Sequence, residues 1–191
     1  MTDSIRTAPG AGSSGELDER LRAGIRDVPD YPAAGVMFKD ITPLLADGAL
    51  FAEAVAALAA VHAVGSGREV DVVAGIEARG FIFGAPVALA LGAGFVPIRK
   101  AGKLPHTTNA AEYALEYGTA TVEIHTDAVR PGQRVLLLDD VLATGGTAAA
   151  AAGLLEDLGA EVVSVSFLIE LGFLAGRERL PGRDVRSLVQ Y

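Results

Sequence analysis

The sequence predicts an α/β fold, a parallel sheet flanked by helices, and three observations lead there. Short apolar runs recur between helix-length segments, as strands buried on both faces require. The half-apolar composition, with few aromatics, no Trp and 23 glycines, suits helices laid over such a sheet. Three charged or Gly-rich segments, 77–80, 99–103 and 139–147, each follow one of the apolar runs. Ligands of open parallel sheets bind beyond the carboxyl ends of the strands, so these segments share one functional edge.

In chain order, residues 1–16 are rich in Gly, Ser, Ala and Thr, lack the apolar stretch of a signal peptide and read as a loose tail. Residues 17–26 read as a short helix, ended by Val28-Pro29-Asp30-Tyr31-Pro32, whose prolines impose extended or turn backbone. GVMFKDITPLL, from Gly35 to Leu45, is too short for a core strand and is expected to be a peripheral lid or a pocket edge. The Ala-rich spacing of 49–64 predicts a helix, stopped by Gly65-Ser66-Gly67. Residues 70–74 are the first buried strand, 83–91 the helix after it and 95–98 the second strand. The stretch 104–117 carries little secondary-structure signal and reads as a mobile flap or a plain surface loop. Residues 119–125 alternate like a strand with one wet face. Residues 135–138 form the next buried strand, 146–158 the next helix and 162–169 the last strand. Strand–helix–strand units at this spacing imply right-handed crossovers.

Size and charge narrow the function. A chain of 191 residues is most simply one domain, able to bury ~70% of its unfolded surface. With 24 acidic against 16 basic residues the formal charge is −8, which disfavours nucleic acid or anionic membrane as partners while leaving room for a local basic patch. The absence of Cys removes disulfides and thiolate metal sites and fits a reducing, cytoplasmic setting. No uncharged stretch reaches membrane-spanning length.

The most informative segment is VLLLDDVLATGGT, from Val135 to Thr147. Its loop, Ala143-Thr144-Gly145-Gly146-Thr147, can aim backbone N–H groups and two hydroxyls at an anion, and the helix beginning near Gly146 adds its positive end. The lysine of a Walker triphosphatase loop is absent, so a monophosphate is the natural guest. Asp139 and Asp140 would be repelled by that phosphate yet are good acceptors for two adjacent hydroxyls one sugar away, which points to a 5-phosphorylated ribose.

Arg79 follows the first strand and can clamp a second phosphate group bidentately; the alternative is a surface ion pair with Glu77. Arg99, Lys100 and Lys103 bring positive charge to the same edge, suited to a polyanionic leaving group or to ordinary solvation. Glu116, where the flap rejoins a strand, can hydrogen-bond to a nitrogen heterocycle. Phe38 and Leu171 can stack on a base, although core packing is the commoner use of such residues. No His/Asp/Glu spacing suggests a transition-metal cage, and no elbow motif supports serine hydrolysis.

Taken together, these residues resemble the adenine phosphoribosyltransferase family, type I phosphoribosyltransferases, from about Tyr31 to the C-terminus. The resemblance runs through GVMFKDITP, GIEARGFIFGAP, IRKAGKLP, LEYG, PGQRVLLLDDVLATGGT and the tail Gly176-Arg177-Glu178. The ribose-phosphate loop marks the wider superfamily, whereas GKLP and LEYG point to adenine.

The resemblance implies a Rossmann-like core topped by a small N-terminal hood, with 17–191 as one domain and 28–45 contributing the hood. It implies the reaction of adenine with 5-phosphoribosyl 1-diphosphate to give AMP and diphosphate, aided by Mg2+ held mainly by the substrate diphosphate, ribose hydroxyls and water. On this chain Ala143 to Thr147 would hold the 5-phosphate and Asp139 and Asp140 the ribose hydroxyls. Arg79, Arg99, Lys100 and Lys103 would attend the diphosphate, Lys103 arriving from a neighbouring subunit of a homodimer. Met37 would read the adenine edge, Phe38 and Leu171 would sandwich the ring, and Glu116 would contact its imidazole nitrogens, making Arg79 and Glu116 the catalytic pair.

Three positions depart from the familiar pattern. Lys39 replaces a frequent Arg, so the charge stays and the planar fork is lost. His106 follows GKLP, and Glu77-Ala78 stands where Asp-Ser also occurs. A 6-oxopurine phosphoribosyltransferase would keep the same phosphate loop and is the nearest rival. A regulator sensing phosphoribosyl diphosphate would need a DNA-binding segment and basic composition that the chain lacks.

Overall fold

The computed structural model describes residues 14–114 and 118–191. They fall into two compact units that divide between Phe51 and Ala52. Most of the N-terminal tail, and Glu116 with its neighbours Leu115 and Tyr117, lie outside the described residues.

The first unit opens with helix α1 (Ser14–Ala23), which Gly24 ends three residues earlier than the sequence spacing suggests. Strands β1 (Arg26–Val28) and β2 (Phe38–Asp40) then pair antiparallel, Asp27 opposite Lys39. The segment expected as a lid or pocket edge therefore contains half of a two-stranded ribbon. Three-residue strands carry too little alternation to be read from sequence; the cross-strand bond from Lys39 Nζ to Asp27 Oδ1, at 2.6 Å, helps fix this one. The ribbon leads to helix α2 (Thr42–Ala46), where Asp40 accepts from the Thr42 N–H and hydroxyl and Pro43 occupies the first turn. Asp47 starts α3 (Gly48–Ala60) by accepting from the N–H groups of Ala49 and Leu50, the usual work of an N-capping carboxylate.

The second unit is built on strands β3 (Val72–Ile76), β4 (Gly94–Lys100), β5 (Thr108–Ala114), β6 (Thr119–His125), β7 (Arg134–Leu142), β8 (Glu161–Glu170) and β9 (Val185–Gln190). They form one sheet in the order β5-β6-β4-β3-β7-β8-β9. The run from β4 to β9 is parallel, and β6 and β5 add an antiparallel edge. Helix α4 (Arg79–Leu91) connects β3 to β4, and α5 (Gly146–Asp157) connects β7 to β8.

Side chains alternate across a strand, and the two helices take opposite faces. Val72, Ala74 and Ile76 share one core with Val135, Leu137 and the Ala/Leu face of α5. On the other face Gly75 lies so close to α4 that an added Cβ would stand 3.3 Å from the Gly80 carbonyl, and Phe95 fills the gap beside Gly84. Leu136, Leu137 and Leu138 are fully out of water, each contributing about 1.5–3 kcal/mol of burial free energy. Their continuous apolar run reflects a strand covered on both sides.

Two strands differ from expectation. Residues 108–114 form β5, paired residue for residue with β6 from Thr108 opposite His125 to Ala114 opposite Thr119. TNAAEYA is poor in β-formers, so this strand owes its existence to its partner rather than to propensity. β9 escaped notice because residues 185–190 follow a Gly- and Arg-rich turn; it closes the sheet against β8. Among the described residues no helix is long and apolar enough to cross a membrane.

Candidate active site

Three strand ends converge as the sequence suggests. β3 pairs with β7 only as far as Leu138, while β7 continues to Leu142 alongside β8. Asp139 and Asp140 thus belong to the strand itself, at the point where one of its edges becomes free. α4 begins there: a Cβ on Gly80 would lie 2.8 Å from the Leu138 carbonyl oxygen and 2.9 Å from Asp139 Oδ1. Only glycine allows that approach, and it sets Arg79, the first residue of α4, above the acidic pair.

Arg79 Nε donates to Asp140 Oδ2, pairing a half-exposed guanidinium with a carboxylate that is almost fully buried. Asp140 is thus a partner of Arg79. Asp139 Oδ1 accepts the Asp140 N–H at 2.9 Å. Burial of the Asp139 carboxyl, and next the charge of Asp140, push its pKa well above the usual range, against the pull of that N–H and of Arg79. The site holds two adjacent carboxyls of which one is compensated and the other short of positive charge.

Glu77, at the end of β3, collects the basic edge instead. It accepts from Lys103 Nζ at 2.5 Å, from the Lys100 N–H at 3.0 Å and from Arg99 Nε at 3.3 Å. Arg99 also donates to the Lys103 carbonyl at 3.0 Å, which ties the turn after β4 to its own strand. Burial would raise the Glu77 pKa, but the Lys103, Lys100 and Arg99 contacts outweigh it and hold it at about 2. Lys103 thus meets a carboxylate of its own chain. The Glu77–Ala78 peptide is cis.

The loop between β7 and α5 forms a cleft of about 70 Å³ lined by Asp139, Leu142, Ala143, Thr144, Gly145 and Thr147, among others. Gly145 has φ +79° and stands at the N-terminus of α5, so backbone N–H groups and the helix dipole face the same cleft. The loop is backed by Gly176, whose carbonyl oxygen would lie 2.2 Å from a Cβ on Gly145. The motif reading gave Gly176 no part in the loop; its signal was the glycine before Arg177, meaningful only once both backbones are seen in contact. Gly146 faces the end of β5, 3.3 Å separating its would-be Cβ from the Ala114 carbonyl oxygen, so β5 ends against the start of α5.

The predicted base contacts are divided between the two units. Met37 and Phe38 lie in the first unit, Phe38 edge-on to Tyr31 with ring centroids 5.1 Å apart. Lys39 is engaged with Asp27 in the ribbon. Leu171, in the second unit, follows β8 and donates its N–H to the Leu142 carbonyl at 2.9 Å, beside the cradle. Glu116 falls outside the described residues.

A family model for the phosphoribosyl transferase domain matches residues 44–181. The chain belongs to the phosphoribosyltransferase family. Within it, the chain is 61% identical over 175 residues to the adenine phosphoribosyltransferase of Acidothermus cellulolyticus, covering 92% of this chain and 97% of that one. It is 57% identical over 190 residues to that of Frankia alni, covering 99% of each. Among solved structures, adenine phosphoribosyltransferase from Thermoanaerobacter pseudethanolicus superposes with a TM-score of 0.87 at 53% identity, over 91% of this chain and 99% of that one. The Saccharomyces cerevisiae enzyme, complexed with an imino-altritol bisphosphate and adenine, gives 0.86 at 39% identity, over 91% of this chain and 99% of that one.

Proposed function

We propose that this chain transfers the phosphoribosyl group of 5-phosphoribosyl 1-diphosphate to N9 of adenine, giving AMP and diphosphate, and that it does so with Mg2+ as a cytoplasmic homodimer. The observation that carries the reading is the seat of Asp139 and Asp140 at the free edge of β7, next to the Gly145 cradle. A phosphate in the cradle leaves a ribose diol to meet the carboxyls, and the diphosphate then faces Arg79 and the basic edge. The identity to adenine-using relatives decides the base. The assigned domain is 17–191, with 28–45 as its base-binding hood.

As the bond from C1 to diphosphate breaks, positive charge grows on the ribose and negative charge on the leaving group. Arg79, Arg99, Lys100 and Lys103 stabilise the departing charge, oriented before reaction rather than during it. Asp139 and Asp140 hold the sugar still and offer negative charge to its cationic face. Glu116 positions the purine and manages its proton, with Met37, Phe38, Lys39 and Leu171 assigned to adenine. The flap residues keep water from the reacting centre.

Among the described residues no three His, Asp or Glu side chains could hold a metal ion together, whereas the pair Asp139 and Asp140 exists. One or two carboxylates with open positions suit Mg2+ that arrives with a diphosphate, so the residues fit. Held mainly by the substrate diphosphate, ribose hydroxyls and water, with Asp139 and Asp140 accepting from the same hydroxyls, the ion would supply charge neutralisation for the leaving group.

The test is direct. Purified chain is incubated with phosphoribosyl diphosphate, Mg2+ and each nucleobase in turn, following nucleotide and diphosphate together. AMP from adenine, dependent on Mg2+, is the expected result. Rapid turnover of hypoxanthine, guanine or xanthine with none of adenine would overturn the base assignment.

A further inference from the structure

Glu170 ends β8 with only 5% of its side chain exposed, a position where an unpaired carboxylate is costly. Arg177 answers it with two arms, Nε to Oε1 and Nη2 to Oε2, both at 2.6 Å. Ser187 Oγ, from β9, donates to Oε2 at 2.7 Å. The remaining arm of Arg177, Nη1, donates to the Val185 carbonyl at 2.7 Å. One guanidinium thereby fastens the turn after β8 to the last two strands of the sheet. The Arg177 bonds, against the cost of burial, hold the Glu170 carboxyl below its usual range.

The residue before Arg177 is the one that touches the phosphate cradle. A Cβ on Gly176 would lie 2.2 Å from the Ala143 carbonyl oxygen and 2.9 Å from Leu142 Cδ1. The reciprocal distance, from a Cβ on Gly145 to the Gly176 carbonyl, is also 2.2 Å. At its other end the turn is pinned by the Leu171 N–H on the Leu142 carbonyl. The cradle backbone is thus pressed against a segment fixed at both ends; Arg177 is the fixture adjoining Gly176 in sequence, and Arg179 Cβ lies 3.1 Å from the would-be Cβ of Gly145.

We infer that Arg177 is a positioning residue for the 5-phosphate, acting through Gly176 on the backbone of residues 143–145. The inference rests on the reading of that loop as a phosphate cradle. A cradle of backbone N–H groups binds only as well as those groups are aimed, and its loop is glycine-rich and intrinsically pliable. The fork of Arg177, rather than its charge, supplies the rigidity; its charge is already spent on Glu170.

The test titrates ribose 5-phosphate, with neither adenine nor metal present, into the full chain and three variants. Arg177→Lys keeps the charge but cannot span both Glu170 oxygens and Val185. Gly176→Ala pushes directly on Ala143. Arg183→Ala removes a charge from the same tail, where Arg183 pairs with Glu156 on α5. The first two should bind ribose 5-phosphate about tenfold more weakly, raising KM for phosphoribosyl diphosphate by a similar factor while KM for adenine stays within about twofold. Arg183→Ala should match the wild type. Wild-type affinity in Arg177→Lys, or an equal loss in Arg183→Ala, overturns the positioning role alone. No binding of ribose 5-phosphate by the wild type overturns the cradle reading and the inference with it.

Discussion

The Lys103 ammonium donates to the Glu77 carboxylate across 2.5 Å, so a cation of the basic edge is held by an anion of its own chain. Arg99 shares that anion at 3.3 Å. On the proposed assignment these are the groups that meet the substrate diphosphate, and Glu77 then competes with the diphosphate for them. Glu77→Gln should lower KM for phosphoribosyl diphosphate by about threefold to tenfold and slow diphosphate release, read as a fall in kcat with an enlarged pre-steady-state burst of AMP. An unchanged KM and burst would show that the pair is structural only.

The same pair sets a pH dependence whose sign is fixed. The Glu77 pKa is depressed to about 2, below its ordinary 4.5. Its stabilising contribution is therefore fully present above pH 4.5 and is lost as pH falls toward 2. Lys103 therefore faces an ionised Glu77 throughout the neutral range. In thermal melts, wild type should lose more stability than Glu77→Gln between pH 4.5 and 3; parallel losses would contradict the assignment.

Asp139 behaves in the opposite way. Burial and the neighbouring Asp140 raise its pKa, so the folded chain holds its proton more tightly than the unfolded chain, and stability falls as pH rises above the ordinary carboxylate range. Asp139→Asn should accordingly melt several degrees higher at pH 7.5, with the gain shrinking below pH 4, since about 1 kcal/mol moves Tm by roughly 2–4 °C at this size. The same change should cost about 100-fold in kcat/KM, because the carboxyl sits where the ribose hydroxyls are proposed to bind. A variant both destabilised at pH 7.5 and fully active would refute both halves.

The parallel core was legible because its strands are buried on both faces and read as apolar runs, 135–138 above all; the first strand, read as 70–74, runs from Val72 to Ile76, with the exposed Asp71 outside it. The loop before α5 and the helix start at Gly146 were legible because Gly145 and its threonines are local in sequence. What escaped depends on distant partners. β5 exists through pairing with β6, the β1–β2 ribbon through contacts such as Lys39 with Asp27, and the bond of Arg79 to Asp140 through the close seat of Gly80. None of these leaves a local pattern. The partner of Lys103 was equally invisible, since 26 residues separate it from Glu77.

The assignment of Glu116 to the purine is tested by separating base from sugar. Glu116→Ala removes a carboxylate proposed to contact adenine and nothing proposed to contact ribose or phosphate. KM for adenine should rise about tenfold or more and kcat should fall, with ribose 5-phosphate binding and the melting curve unchanged. Equal losses toward both substrates would move Glu116 out of the base site.

Gly145 carries two constraints at once. Its φ of +79° is a conformation that L side chains rarely adopt, and its missing Cβ is the space occupied by the Gly176 carbonyl. Gly145→Ala must therefore pay for left-handed backbone, about 1–2 kcal/mol, and also separate two backbones that are in contact. Separation opens the cradle from behind, turning N–H groups at the start of α5 away from the cleft. The expected outcome is a Tm lower by at least several degrees together with ribose 5-phosphate binding weakened about tenfold or more, measured by calorimetry on protein shown to be folded. Gly153→Ala is the control: Gly153 lies within the same helix with open space around its would-be Cβ, and alanine there should stabilise slightly and leave binding unchanged. If Gly145→Ala bound ribose 5-phosphate as well as Gly153→Ala, the backbone of this loop would not be the anion's seat.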